Sequence, residues 1–184
     1  MLSADANNSW YVLFAANGKA AKIRPFLETA NIEYFFPESY REQKLKNTER
    51  KKLALQPLLG NLLFVKSSKK RLLPILKEIK IRLGITSDLF YRYLGTKELI
   101  IVPEDQMKNF IAVAGSKQEP VIYLSNDEIK LKKGTKVRIT RGAFEGVEGI
   151  FMRIKGDRRV VVSIPDLFSV ATAFIPTEFI VPIE

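Results

Sequence analysis

Apolar residues recur with both helical and strand spacing over the first 114 residues of this chain, and with strand spacing alone after about residue 131. Trp10-Tyr11-Val12-Leu13-Phe14-Ala15-Ala16 is a short apolar and aromatic run, which predicts a buried strand ended by Asn17-Gly18. Ala20, Ala21, Ile23, Phe26, Leu27 and Ala30 then recur at helical spacing and predict a helix over 18–30. Pro25 lacks a ladder donor and crowds the preceding turn, so a kink or a later helix start is expected. Glu33–Tyr40, around Tyr34, Phe35 and Phe36, reads as a second strand. Arg41–Lys52 has six Lys/Arg against two Glu and almost no apolar content, the pattern of an exposed loop. Pro57–Val65 resumes as a turn and a buried strand. In Lys66–Lys80, Leu72, Ile75, Leu76 and Ile79 lie opposite a lysine-rich face, and Pro74 predicts a short helix rather than a long one. Leu89–Leu94 reads as a strand. Pro103-Glu104-Asp105 is a good helix start, with acids placed against the macrodipole, and Met107, Phe110, Ile111 and Ala114 share its apolar face.

These elements predict an α+β N-terminal domain over 9–114, an antiparallel sheet flanked by helices, preceded by a disordered stretch at 1–8. A small and polar composition marks a linker at 115–130, although Val121, Ile122 and Tyr123 leave part of it able to pack. Residues 131–184 hold five short apolar runs punctuated by Gly142, Gly146 and Gly149, with Gly156-Asp157 reading as a hairpin turn. Such a run of strands fits a small all-β barrel of the SH3-like kind, since closure removes most exposed edges.

Composition narrows the chemistry. The chain has no cysteine and no histidine, so disulfides, thiolate nucleophiles, histidine relays and Cys- or His-ligated metals are excluded. No cofactor is expected. A carboxylate pair is the remaining route to catalysis, with Glu145 and Glu148 as the candidates; both flank glycines on a turn, and no enzymatic activity is expected. No apolar run approaches the ~18 residues of a spanning helix, and the polar N-terminus does not resemble a secretory signal, so a cytoplasmic protein without a membrane partner is expected. Net charge is +10, of which +8 lies within the first 116 residues. That field favours polyanions, chiefly nucleic acid, through counterion release.

The strongest local signal is Lys133-Gly-Thr-Lys-Val-Arg-Ile-Thr-Arg-Gly-Ala-Phe-Glu-Gly-Val-Glu-Gly149. A strand over 136–140 meets a tight turn at Arg141-Gly142, Phe144 folds back as an apolar plug, and Gly146 and Gly149 permit bends or close backbone approach. This segment resembles the KOW motif, the leading hairpin of a barrel shared by NusG-type factors and several ribosomal proteins. Trp10-Tyr11-Val12 and Gln56-Pro57-Leu58-Leu59-Gly60-Asn61-Leu62-Leu63-Phe64-Val65 resemble the two hallmark strands of the NusG N-terminal domain. With the KOW segment following, the resemblance to the NusG family runs from about Trp10 to Ile183. Asn61 and the Arg141–Gly146 string are similar to those of operon-specific antiterminators, the RfaH-like and capsule-operon (UpxY-like) paralogues, rather than the housekeeping branch.

The resemblance implies a monomeric elongation factor whose N-terminal domain docks an apolar patch on the clamp helices of RNA polymerase and suppresses pausing or termination. The patch would comprise Trp10, Phe14, Leu59, Leu62 and Phe64. It is more aliphatic than usual, because Leu59-Gly60 stands where the family has an aromatic and a proline, and Leu62 where it has an aromatic. Strand alternation places Leu63 and Val65 in the core and Leu62 and Phe64 on the other face. Lys19, Lys22 and Arg24, with Arg82, fall at positions that face non-template DNA in specialised members. Nascent RNA is a further partner the resemblance allows, and Rho or a ribosomal protein could be reached through the KOW domain. A housekeeping NusG-like factor and an RNA- or ribosome-binding KOW protein are the rival readings; the latter leaves the Trp10 and Leu58–Val65 strands without a reason.

Overall fold

The computed structural model describes residues 8–44, 51–57, 61–116, 121–124, 134–164 and 167–184. Most of the expected N-terminal tail, Leu59, the middle of the basic segment at 45–50 and the linker stretches 117–120 and 125–130 lie outside the described residues. The chain divides into two compact units, Met1–Pro103 and Glu104–Glu184.

In the first unit, β1 (Ser9–Phe14) is a central strand, paired antiparallel with β5 (Leu62–Ser67) on one side and the short β6 (Ile101–Val102) on the other. β2 (Glu33–Phe35) pairs with the far side of β5, giving the order β2-β5-β1-β6. Two helices, α1 (Lys19–Thr29) and α2 (Lys69–Leu83), cover one face. The core lies between them: Tyr11, Leu13, Leu63 and Val65 from the sheet meet Ala20, Ile23 and Leu27 of α1 and Leu72, Leu76 and Ile79 of α2. Tyr11 stacks edge-on against Phe90, with ring centroids 5.5 Å apart.

Both prolines are absorbed within helices. α1 starts at Lys19 and runs through Pro25, so the later start is not seen. Pro74 does not shorten α2 either: the helix has 15 residues, because Ser68 caps its start by accepting from Arg71 N–H (3.3 Å) and Gly84 closes it in the left-handed region (φ 57°). Both prolines sit on exposed helix surface, where the ring meets solvent rather than the core. The expected strand at Glu33–Tyr40 is two strands, interrupted at Phe36-Pro37. The second, β3 (Glu38–Lys44), pairs with β4 (Lys51–Pro57) in a separate two-stranded ribbon, from Glu38↔Pro57 to Lys44↔Lys51. Much of the segment expected as a loop is therefore strand, since backbone pairing supplies its own hydrogen bonds where apolar pattern is absent. The reverse holds at Leu89–Leu94, which makes only isolated bridges, Leu13↔Phe90 and Arg92↔Leu99.

The second unit opens with α3 (Glu104–Ala114), whose Met107, Phe110, Val113 and Ala114 are buried; Ile111 is only half-buried. Six antiparallel strands follow in the order β12-β8-β9-β10-β11-β7: β7 (Ile122–Leu124), β8 (Thr135–Ile139), β9 (Glu148–Ile154), β10 (Asp157–Ile164), β11 (Phe168–Ala171) and β12 (Ile180–Pro182). α3 packs on β10 and β11, with Phe110 and Phe168 ring centroids 5.3 Å apart. Asn109 Oδ1 accepts the Glu148 N–H at 3.0 Å. The division at Pro103/Glu104 thus precedes the expected boundary at 114, and β7, within the expected linker, joins the sheet through β11. The β9–β10 turn is Lys155-Gly156, one residue earlier than Gly156-Asp157. Both residues have positive φ (50° and 92°), as a two-residue primed hairpin turn requires, and Asp157 already pairs with Ile154.

Among the described residues, no helix is long and apolar enough to cross a membrane.

Candidate functional site

The register of the first sheet assembles a second face, opposite the helices. Trp10, Val12 and Phe14 of β1 lie directly across from Lys66, Phe64 and Leu62 of β5, and Phe64 in turn lies across from Phe35 of β2. Because side chains alternate along strands, these residues share one side of the sheet while Tyr11, Leu13, Leu63 and Val65 take the other. The face is aromatic at its centre and half-buried along one edge. Trp10, Val12 and Phe64 are buried, whereas Phe14, Leu62 and Phe35 are half-buried. Phe35 and Phe64 ring centroids lie 6.4 Å apart, and Phe14 lies 5.8 Å from Tyr91. Tyr91 is fixed there by its N–H donating to Val12 C=O at 2.9 Å. The Lys66 ammonium sits 5.7 Å from the Trp10 ring and 3.9 Å from Glu33.

Of the residues expected in an apolar patch, Trp10, Phe14, Leu62 and Phe64 are brought together by this register. Phe64 is fully buried, so it contributes to packing as well as to the character of the face. Val12, Phe35 and Tyr91 belong to the face but escaped the sequence reading. Alternation within 33–35 and from Trp10 to Phe14 carries the first two; Tyr91 is placed by an isolated bridge that leaves no periodic signal. Asn61 has a local role: its backbone C=O accepts from Ala15 N–H (2.8 Å) and its side-chain oxygen from Gly18 N–H (3.4 Å), steadying the turn after β1.

The basic residues separate. Lys19 and Lys22 are three apart on α1 and share a face, while Arg24 lies two residues further round the helix. Lys19 Nζ donates to Gly84 C=O (3.1 Å), which draws the start of α1 to the end of α2, near Arg82. Lys22 is exposed and makes no ion pair with a described residue. Arg82 is exposed, paired with Glu78 one turn back (2.9 Å) and placed 5.9 Å from the Phe26 ring. Arg24 is committed elsewhere: it pairs with Glu38 at 3.0 Å and lies over Tyr34 and Phe36, at 5.9 and 5.6 Å from their centroids. The Tyr34 hydroxyl beside it outweighs the cost of burial and, with the Glu38 charge, holds the guanidinium pKa above its ordinary value. Of the four, Lys22 is exposed without an ion pair to a described residue, Lys19 and Arg82 each engage a neighbour, and Arg24 is the most heavily engaged.

In the second unit the turn after β8 has the geometry its glycines suggest. Gly142 and Gly146 adopt positive φ (87° and 84°), Gly146 N–H donates to Ile139 C=O (2.8 Å), and Phe144 is buried beneath the turn. Gly149 serves close approach instead, since a Cβ there would lie 2.5 Å from Val161 C=O. Glu148 is held by Arg138, whose Nε and Nη2 donate to one carboxylate oxygen at 2.8 and 2.5 Å.

The family model described as "NusG: Transcription termination factor nusG" matches residues 8–111, more than half of the chain. It spans β1 to most of α3, and so includes β1, β2 and β5, the strands that build the aromatic face. No curated protein matches. Among solved structures, one described as "Domain interaction in Thermotoga maritima NusG" is similar at 16% identity and TM-score 0.47, covering 99% of this chain and 100% of that one. On the family match, with its hallmark strands paired in the first sheet, this chain belongs to the NusG family of transcription factors.

Proposed function

We propose that this protein is an elongation factor that docks the aromatic face of its first sheet on the clamp helices of RNA polymerase and suppresses pausing or termination. Its targets are particular operons, of which surface-polysaccharide loci are the type suggested by the resemblance to specialised paralogues. One observation supports the reading most: β1 and β5 lie inside the NusG match, and their register gathers Trp10, Phe14, Leu62 and Phe64 on the sheet side away from the helices. Phe14, Leu62, Phe35 and Tyr91 form the reachable edge, with Leu59 expected to extend it. An apolar anchor of this size contributes roughly 1–3 kcal/mol when buried in a partner. Lys19, Lys22 and Arg82 would then face non-template DNA, with Arg24 bracing the fold behind them. The second unit, read as a KOW domain from the Gly142–Gly149 turn, would contact Rho or a ribosomal protein.

Recruitment of the purified chain to a paused elongation complex tests this reading. Leu62→Glu should weaken binding to core polymerase at least tenfold, the consequence of losing roughly 1.4 kcal/mol or more, while the melting temperature stays close to that of the parent. Loss of binding only alongside a large fall in stability would reassign Leu62 to the core. Lys19→Gln with Lys22→Gln should leave binding to polymerase alone unchanged and flatten the salt dependence of recruitment by about 0.7 per lost phosphate contact. Read-through at a terminator should rise with added protein. A fall would mark a termination factor, as the family's description has it, and overturn antitermination.

A further inference from the structure

On the helix side of the first sheet, a cavity of about 400 Å³ opens between α2 and the segment 85–90 that follows it. Its floor is apolar: Leu76, Ile85, Leu89 and Phe90 are buried, and Phe90 is fixed by its edge contact with Tyr11. Part of its rim is apolar as well. Leu73 and Ile81 line it with 49% and 73% of their surface exposed. They belong to one ridge of α2, Leu73-Lys77-Ile81, and stand about 12 Å apart along the helix axis, at 1.5 Å per residue. The fold has no need of large apolar side chains at these two positions, since α2 already buries Leu72, Leu76 and Ile79 on the sheet. An apolar recess ringed by polar groups marks a contact site for another molecule.

The polar part of the rim is cationic. Lys77 and Lys80 make no ion pair with a described residue. Asp88, the acid near Lys80, is held by Arg92 at 2.7 Å, and Glu78 on the adjoining stripe of α2 is paired with Arg82 at 2.9 Å. Positive charge around an apolar recess selects among occupants. A second copy of this chain, at net +10, would set the same lysines against each other in a two-fold contact. A bilayer takes up a protruding apolar face, whereas this floor is recessed. A wall made of helix offers no strand edge, so an extended peptide finds no backbone partner there. An amphipathic helix meets all three conditions: its side chains at i, i+3 and i+7 reach into a groove of this length, and acids beside them meet the lysines. We propose that this groove docks an amphipathic helix of an acidic partner protein, with aliphatic side chains seated between Leu73 and Ile81 and flanking carboxylates on Lys77 and Lys80. The site lies wholly within the first unit, on the side of the sheet away from the aromatic face, and does not depend on polymerase docking.

The test is fluorescence anisotropy with the full chain and two labelled helical peptides. One carries leucines at i, i+3 and i+7 with glutamates beside them, and the other has lysines in place of the glutamates. The acidic peptide should bind, more weakly as salt is added, and the basic one should not. Leu73→Ser and Ile81→Ser should each weaken binding about tenfold or more, as the loss of an apolar anchor does, with melting temperatures close to that of the parent because both side chains are exposed. Lys77→Glu with Lys80→Glu should exchange the preference, losing the acidic peptide and gaining the basic one. Leu62→Glu, on the opposite face, should leave peptide binding unchanged. The proposal is overturned if the acidic peptide does not bind, if the two peptides bind equally, or if both serine variants bind as the parent does. Two further results would replace the occupant and overturn it as well. One is self-association of the chain in sedimentation that Ile81→Ser abolishes; the other is binding to phosphatidylglycerol vesicles that Leu73→Ser abolishes while peptide binding persists.

Discussion

Single positions in this chain do work that depends on where neighbouring strands pass. Gly149 is the clearest case. A methyl group there meets Val161 C=O at 2.5 Å and the Val160 side chain at 2.8 Å, and neither strand can retreat without breaking its ladder. Gly149→Ala should therefore destabilise the second unit by about 1–3 kcal/mol, as overpacking does. Gly146→Ala faces open space and bears only the cost of its positive φ, about 1 kcal/mol. Thermal melts of the two variants should rank them in that order. Asp88 offers a pH test. Partial burial disfavours its charge, but hydrogen bonds from Arg92 (2.7 and 3.1 Å) and the Phe90 N–H prevail and hold the carboxyl below its ordinary value. Depressed in the folded state, it stabilises the protein above the unfolded pKa of about 4, and that contribution disappears as pH falls through the folded value. Asp88→Asn should melt lower than the parent at neutral pH, and the gap should close in acid. A gap constant down to pH 3 would separate Asp88 from the Arg92 interaction.

At the scale of elements, α2 shows how tertiary packing overrides local preference. Pro74 removes an internal donor, yet Leu72, Leu76 and Ile79 bury on the sheet, Ser68 caps the first turn and Gly84 ends the last. Burying three such side chains contributes several kcal/mol, at roughly 1.5–3 each, which exceeds the ~3 kcal/mol penalty of an interior proline. Since Pro74 is exposed, Pro74→Ala should restore the missing bond without disturbing the core and raise stability by up to about 3 kcal/mol. Denaturant unfolding would measure it. A loss of stability would mean that the ring packs against something more valuable than a hydrogen bond. The β3–β4 ribbon is the opposite case, a strongly charged element whose strands are joined along seven paired positions.

For the whole molecule, the informative element is α3. The family match extends through residue 111, while α3 packs with β10 and β11 of the second unit. Phe110 against Phe168, the Asn109–Glu148 bond and the Tyr123 hydroxyl donating to Ala114 C=O (3.4 Å) bind the helix and β7 to the sheet. A fragment of residues 104–184 should accordingly melt well above one of residues 131–184. In the intact chain, Phe110→Ala should cost about 3–5 kcal/mol, as other large-to-small changes at buried aromatics do. Equal melting of the two fragments would show that α3 adds nothing to the second unit.

The sequence by itself determined what is local. Strand alternation assigned Leu63 and Val65 to the core and Leu62 and Phe64 to the opposite face. Helical spacing located all three helices within a few residues, and glycine spacing identified the turn that buries Phe144. Only the tertiary structure decided which partner each surface meets. Phe64 is fully buried rather than exposed, Arg24 is engaged by Glu38, Tyr34 and Phe36, and the charged segment after Glu38 enters a ribbon. The direct opposition of Arg153 and Arg158 likewise follows from a hairpin turn placed at Lys155-Gly156, one residue before the position its composition suggested. Periodicity records that a side chain must be buried or exposed relative to its own element. It holds no information about the register and packing between elements, which are set by side chains distant in the chain.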